Sequence, residues 1–164
     1  MLFFKKKEKE EPVKELKAFV SGKVIPVTEV SDQVFSSKAL GDGVAIEPIE
    51  ETITAPCAGT VSMIAEDSNH AIGMTLNNGA EILMHIGLDT VNLNGEGFHV
   101  FVKVGDKVNQ GDKLMEFDKA LIESRGLETA CILVVTNADD YPDAEYISGM
   151  NAVQNETDIC RFSS

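Results

Sequence analysis

The stretch Asn69-His-Ala-Ile-Gly-Met-Thr-Leu-Asn-Asn-Gly-Ala-Glu-Ile-Leu-Met-His-Ile-Gly87 holds two apolar runs separated by Asn78-Gly79. That dipeptide suits a two-residue hairpin turn, because both central positions must take positive φ. With those two residues as the loop, Asn77 pairs with Ala80, Met74 with Leu83 and Ile72 with His85, and His70 lies opposite Gly87. His70 and His85 are then diagonal neighbours on one face, ~7–8 Å apart at the backbone. With Asn77-Asn78 as the loop the two face each other directly. Only a one-residue slip would put them on opposite faces. A single histidine in a strand is usually an ordinary hydrogen-bonded residue; two of the chain's three converging by register are less expected. Metal binding and catalysis would both use such a pair. His99 has no comparable partner and is read as structural.

Outward from this hairpin, short β-like runs alternate with Gly, Pro, Asn and Asp from about residue 19, at 22–27, 43–46, 59–64 and 81–85. Residues 101–117 add two Gly-Asp turns flanked by valines. The segments Ser21-Gly-Lys-Val and Ala58-Gly-Thr-Val resemble each other and hint at a duplicated strand unit. Helical periodicity is poor apart from a short turn near residues 120–125. The expected fold is mostly β, a compact antiparallel β sandwich or barrel with at most short helical turns. Residues 19–164 are read as one domain. Residues 1–18, rich in Lys and Glu, are read as a mobile N-terminal tail. A second reading gives the tail weak membrane-surface contact through Leu2, Phe3 and Phe4 beside Lys5, Lys6 and Lys7; the following Glu residues would weaken it.

At 164 residues, 43% hydrophobic and 25% charged, the chain can close a core without a metal or disulfide staple. A formal net charge of −13 argues against nucleic-acid binding, which needs Lys and Arg to displace counterions. Cys57, Cys131 and Cys160 cannot all pair within one chain, and their spacings form no metal motif, so reduced thiols are expected. No apolar run approaches the ~20 residues of a membrane helix. At the start, the apolar cluster precedes the charges, the reverse of a secretion signal. The chain is read as cytoplasmic.

Gly41-Asp-Gly-Val-Ala-Ile46, Ala55-Pro-Cys-Ala-Gly-Thr-Val61, Asn69-His-Ala71, His85-Ile-Gly-Leu-Asp-Thr-Val91 and Gly95-Glu-Gly-Phe98 follow one another in order. Together they resemble the glucose-type IIA component of the bacterial phosphoenolpyruvate-dependent sugar phosphotransferase system. The resemblance runs from about Val20 to the C-terminus, and the block from His85 through Phe98 is its most specific part. It implies a β sandwich of duplicated hybrid-motif type, with two adjacent histidines in a shallow, apolar-rimmed depression. By that matching His85 accepts phosphate from the phosphocarrier protein HPr and passes it to a cysteine of the IIB domain of a sugar permease. His70 is not phosphorylated but is needed for onward transfer. Asp89 and Asp32 match partner contacts, and Val34, Phe35 and Leu83 match the apolar rim. Ser68 keeps the hydroxyl that the family usually places on Thr, and the backbone around Gly87 is the expected acceptor that fixes the His85 tautomer.

Neutral imidazole suits a transfer intermediate, being nucleophilic near pH 7 with an unperturbed pKa of ~6.5. Phosphoryl transfer asks the protein mainly for positioning and charge stabilisation, which a second imidazole can supply. No P-loop or magnesium motif is present, and no cofactor is required. Two rival classes remain. Residues 102–120 look like a lipoyl or biotinyl carrier segment, with Lys119 in an Asp-Lys-Ala setting at a hairpin tip. A zinc hydrolase would use His70 and His85, but catalytic zinc usually has three protein ligands. Zinc shared by the two histidines with a partner's carboxylate is the milder metal reading.

Overall fold

The computed structural model describes residues 11–163. Its strands are β1 (Glu15–Lys17), β2 (Gly22–Pro26), β3 (Asp42–Pro48), β4 (Thr52–Thr54), β5 (Gly59–Ile64), β6 (Ala71–Thr75) and β7 (Glu81–Ile86). They continue with β8 (Phe98–Val100), β9 (Lys107–Val108), β10 (Lys113–Phe117), β11 (Cys131–Val135), β12 (Glu145–Tyr146), β13 (Asn151–Ala152) and β14 (Asp158–Arg161). The α-helices are α1 (Gln33–Ser36) and α2 (Lys119–Ser124). One sheet runs β13-β2-β3-β11-β7-β6-β5-β9; two smaller sheets run β1-β14-β12 and β4-β10-β8. The pairing is antiparallel throughout and the sheets do not close into a barrel. The sandwich half of the expectation holds.

Cys131-Ile-Leu-Val-Val135 explains the centre. All five residues are buried, as a strand covered on both faces requires. Cys131, Leu133 and Val135 enter the main core, with Leu16, Ile53, Leu114 and Phe117 from the smaller sheets and Phe19 from the link between β1 and β2. Ile132 and Val134 point the other way, into a smaller cluster with Ala45, Val27, Val30, Phe35 and Leu88. Neighbouring β7 alternates: Ile82, Met84 and Ile86 are buried, while Glu81, Leu83 and His85 are only partly covered. Across the outer face a transverse row therefore reads Ile25, Ala45, Ile132, His85, Ala71.

The duplicated unit is real in register as well as in sequence. Gly22 and Gly59 open β2 and β5, which take the second place from either end of the large sheet. Gly22 pairs with Ala152 and Lys23 with Asn151; Gly59 pairs with Val108 and Thr60 with Lys107. Each half ends in a two-residue edge strand, short enough to discourage pairing with another chain. The halves meet where β11 pairs with β7.

Two expectations need correction. The β6–β7 loop has three residues, Asn77, Asn78 and Gly79, so Ala71 faces His85 and Ile72 faces Met84. Leu76 N–H donates to the Ala80 carbonyl and Gly79 N–H to the Leu76 carbonyl, while Gly79 takes the positive φ of 91°. This is the intermediate slip that strict alternation would punish. The folded chain also begins before residue 19, because β1 pairs with β14 and Leu16 is fully buried. The proposed contact of residues 2–7 with a membrane surface lies outside the described residues. At four residues α1 is too short to show a helical period, and it falls within the expected short helical turns.

Leu16→Ala should lower stability by about 2–4 kcal/mol in urea unfolding. Lys14→Ala, on an exposed neighbour, should change it by under about 0.5 kcal/mol. Equal effects would mean that β1 is not part of the folding unit.

Candidate functional site

His85 sits on the central strand β7, where both neighbours hold its backbone. Its ring meets the Phe35 ring edge-on at 4.9 Å between centroids, and the His70 ring at 4.6 Å with an interplanar angle of 86°. The two imidazoles do share one site. His85 Nδ1 lies 2.8 Å from the Gly87 carbonyl oxygen. A carbonyl can only accept, so Nδ1 carries the proton and Nε2 keeps its lone pair.

Gly87 has φ of 77°, and a Cβ there would lie 2.4 Å from Thr90 Cγ2 and 3.0 Å from the Glu128 carbonyl oxygen. Both counts exclude a larger residue. Thr90 is the member of this turn that the sequence reading passed over. It is fully buried, and its hydroxyl donates to the Ile86 carbonyl at 2.6 Å. Gly87 N–H donates to the Ala130 carbonyl at 2.8 Å. The turn that aims the Gly87 carbonyl at His85 is thus tied on both sides. The only signal in the sequence was the small polar residue inside the motif His85-Ile-Gly-Leu-Asp-Thr-Val91.

His70 is 8% exposed, and its Nδ1 lies 2.9 Å from Ser68 Oγ. If the hydroxyl gives its proton to Nδ1, the ring's own N–H is on Nε2, free to donate. Burial lowers the pKa of His70; burial and the nearby His70 bring His85 down to about 4 against a lesser set of opposing effects. The opposing effects are the Gly87 hydrogen bond and the carboxylates of Asp32 and Asp89. His85 is therefore neutral at pH 7.

Asp89 is exposed, left-handed at φ of 59°, and caps nothing with its side chain. Asp32 instead has an architectural duty, accepting from Val34 N–H at 2.9 Å and Phe35 N–H at 3.4 Å as the N-cap of α1. That cap presents Val34, 51% exposed, and drives Phe35 down against His85. Leu83 packs at the margin of the same apolar cluster. His99 lies elsewhere, on β8 with its ring against Phe101. Lys119 opens α2, its N–H bonded to Glu51, and does not sit at a hairpin tip. Among the described residues no three His, Cys, Asp or Glu side chains cluster as metal ligands. His70 and His85 offer two nitrogens, short of the three expected of a zinc hydrolase.

Residues 14–141 match the family of the phosphoenolpyruvate-dependent sugar phosphotransferase system, EIIA 1. The chain belongs to this EIIA family. It is 41% identical over 156 residues to a "PTS system glucose-specific EIIA component" of Oceanobacillus iheyensis, covering 95% of this chain and 94% of that one. A "PTS system glucose-specific EIICBA component" of Staphylococcus saprophyticus shares 47% identity over 120 residues, which is 73% of this chain but 18% of that larger protein. The solved structure "glucose permease IIA from Mycoplasma capricolum" superposes with a TM-score of 0.77 at 34% identity, covering 98% of both chains. An EIIA protein is a phosphotransferase component, a phosphoryl carrier in sugar uptake. No described helix is long and apolar enough to cross a membrane. The lipoyl reading finds no support.

Because the folded pKa of His85 lies below its unfolded value, the unfolded chain takes up the proton first as pH falls. Stability should be independent of this group above pH ~6.5 and decline between ~6.5 and about 4. Ring NMR titration should find the His85 midpoint near 4, and Asp89→Asn should lower it further. A midpoint at the ordinary histidine value would refute the burial argument.

Proposed function

We propose that His85 Nε2 is the atom that carries the phosphoryl group, received from phospho-HPr and handed to the IIB cysteine of a sugar permease. The observation supporting this most is the 2.8 Å contact between His85 Nδ1 and the Gly87 carbonyl, which leaves Nε2 as the nucleophile of a neutral ring. In the first step Nε2 bonds to phosphorus as the donor's N–P bond breaks. The ring then bears positive charge, which the Gly87 carbonyl stabilises through Nδ1–H. In the second step the cysteine thiolate bonds to phosphorus and the Nε2–P bond breaks. His70 Nε2–H donates to a phosphoryl oxygen throughout, and the Ser68 hydroxyl, 2.9 Å from His70 Nδ1, fixes that tautomer by donating to it. The exchange takes place in the cytoplasm, where donor and thiolate are available.

Docking relies on the surround. Val34, Phe35 and Leu83 form an apolar margin, and Asp89 offers an unengaged carboxylate to a basic partner group. Asp32 contributes to that field while fixing α1. Relatives bear both glucose-specific and β-glucoside-specific names, including one of the latter from Dickeya chrysanthemi. The sugar itself never meets this site, so its identity is chosen by the permease. Neither step needs a metal. Zinc bound by His70 and His85 would take two of four tetrahedral positions and leave the others to a partner's carboxylate or water. Metal held in that way competes with phosphate for the same nitrogens.

Incubation with phosphoenolpyruvate, enzyme I and HPr should label His85 with acid-labile phosphate, with or without a chelator. His85→Gln should abolish the label. His70→Gln should still be labelled but lose at least about a hundredfold in transfer to IIB. Phosphate mapping to any other residue would end the assignment. Asp89→Arg should slow labelling by HPr several-fold and lessen its salt dependence; an unchanged rate would remove Asp89 from the docking surface.

A further inference from the structure

The register of the hairpin poses a problem that the site geometry does not answer by itself. Ala71 faces His85 across the β6–β7 ladder, and Ile72 and Met74 enter the main core. Strict alternation would send the residue before Ala71 to the core side, beside fully buried Ile86. Yet the His70 ring lies 4.6 Å from that of His85. Two successive residues, His70 and Ala71, therefore face the same way, which a regular strand cannot do.

The backbone shows how. On the β5 side, Ile64 pairs with Ile72, and Ala65 N–H donates to the Ala71 carbonyl at 2.9 Å. The Ala65 carbonyl, however, accepts from Asn69 N–H at 2.9 Å. One residue thus engages both 69 and 71, and His70 is passed over as an extra. Asn69 has φ of 52°. An extra residue preceded by one in the left-handed region works as a β-bulge does, re-aiming a side chain, while the register break within the β5–β6 ladder itself lies between Val61 and Met63. On the β7 side, Ile86 N–H donates to the His70 carbonyl at 2.8 Å, whereas the Ile86 carbonyl takes the Thr90 hydroxyl. The bulge is held in place. A Cβ on Gly95 would lie 2.5 Å from the Asp67 carbonyl oxygen, so a second loop presses against this turn.

We infer that Asn69 is a positioning residue: its left-handed backbone bulges His70 out of the ladder and turns its imidazole onto His85. Among residues with a side chain, Asn adopts this conformation at least cost, and glycine adopts it freely. A residue with a plain Cβ or a branched one opposes it. The inference rests on the proposed role of His70 in onward transfer, and it places the origin of that role one residue upstream.

The test compares Asn69→Gly, Asn69→Ala and Asn69→Val in the full chain, with His70→Gln alongside. Asn69→Val should reproduce the His70→Gln pattern, with His85 still labelled by HPr and transfer to IIB reduced at least tenfold. Asn69→Ala should fall between, and it stands in if the valine variant fails to fold. Asn69→Gly should restore transfer to within about threefold of the parent. The spectroscopic signature is separate from activity. Cross-relaxation between the two imidazole rings should weaken in the alanine and valine variants, and the His85 titration midpoint should rise as the neighbouring ring withdraws. If His70→Gln impairs transfer while folded alanine or valine variants keep both ring contact and transfer, the inference about Asn69 is wrong and the reading of His70 stands. If His70→Gln transfers normally, the role of His70 fails; the ring contact and titration still decide whether Asn69 positions it.

Discussion

A single hydrogen bond, from His85 Nδ1 to the Gly87 carbonyl two residues along the same chain, sets the chemistry of this protein. It chooses one tautomer out of two and so leaves the lone pair on Nε2. Such a contact is useful only if the carbonyl cannot swing away, and the surrounding turn is built to prevent that. Gly87 occupies a left-handed conformation with no room for a Cβ, Thr90 ties the preceding carbonyl, and Ala130 takes the Gly87 N–H. The turn follows directly on β7, whose ladder to β11 is flanked by fully buried residues. Order in the core is passed to the imidazole through one short stretch of backbone.

Electrostatics then works in two opposed directions. The chain carries a net charge of −13, an unpromising setting for a phosphoryl group. Burial resolves half of the conflict, keeping the free imidazole uncharged at neutral pH so that its lone pair is available. Asp32 and Asp89 push the other way, favouring a positively charged ring, and that is the state phosphorylation creates. On the proposed role of His85, the same carboxylates that repel the incoming phosphate would stabilise the charged phosphoimidazole and meet basic groups of a partner. A carrier benefits from this balance, since a group held too firmly by an electropositive pocket would not be released.

Much of the architecture was legible because it rests on repeated local patterns. The runs at 22–27, 59–64 and 81–85 emerge as β2, β5 and β7, and the echo between Ser21-Gly-Lys-Val and Ala58-Gly-Thr-Val marks equivalent strands in equivalent pairings. The short turn near 120–125 is α2. The hairpin was located correctly and counted wrongly: Asn78-Gly79 favours a two-residue loop by local preference, but Asn77 joins it. Contacts far along the chain reward that choice. Asn77 Oδ1 accepts from Val13 N–H, and Tyr141 donates to the Asn78 carbonyl. The convergence of His70 and His85 was anticipated from the wrong register and survives only through a backbone irregularity that no alternation rule contains. Thr90 and the capping duty of Asp32 were hidden for a related reason. Each acts through one hydrogen bond in a turn too short to leave a period.

The duplicated sheet explains why the site lies where it does. Each half closes on its own edge strand, and the two halves join at β11 and β7, the place in the large sheet farthest from either edge. Fraying begins at edges and chain ends, so the central pair is the part of the scaffold least able to move. Phosphoryl transfer gains from that rigidity because misplacement of the nucleophile by even a fraction of an ångström is costly. The symmetry itself, however, provides only a flat apolar face: along the row through Ile25, Ala45 and Ile132 nothing is reactive until His85. Chemistry appears where the repeat is broken, at the bulge before β6 and the glycine turn after β7. Regular pairing supplies the stiffness, and two local departures from it aim the rings.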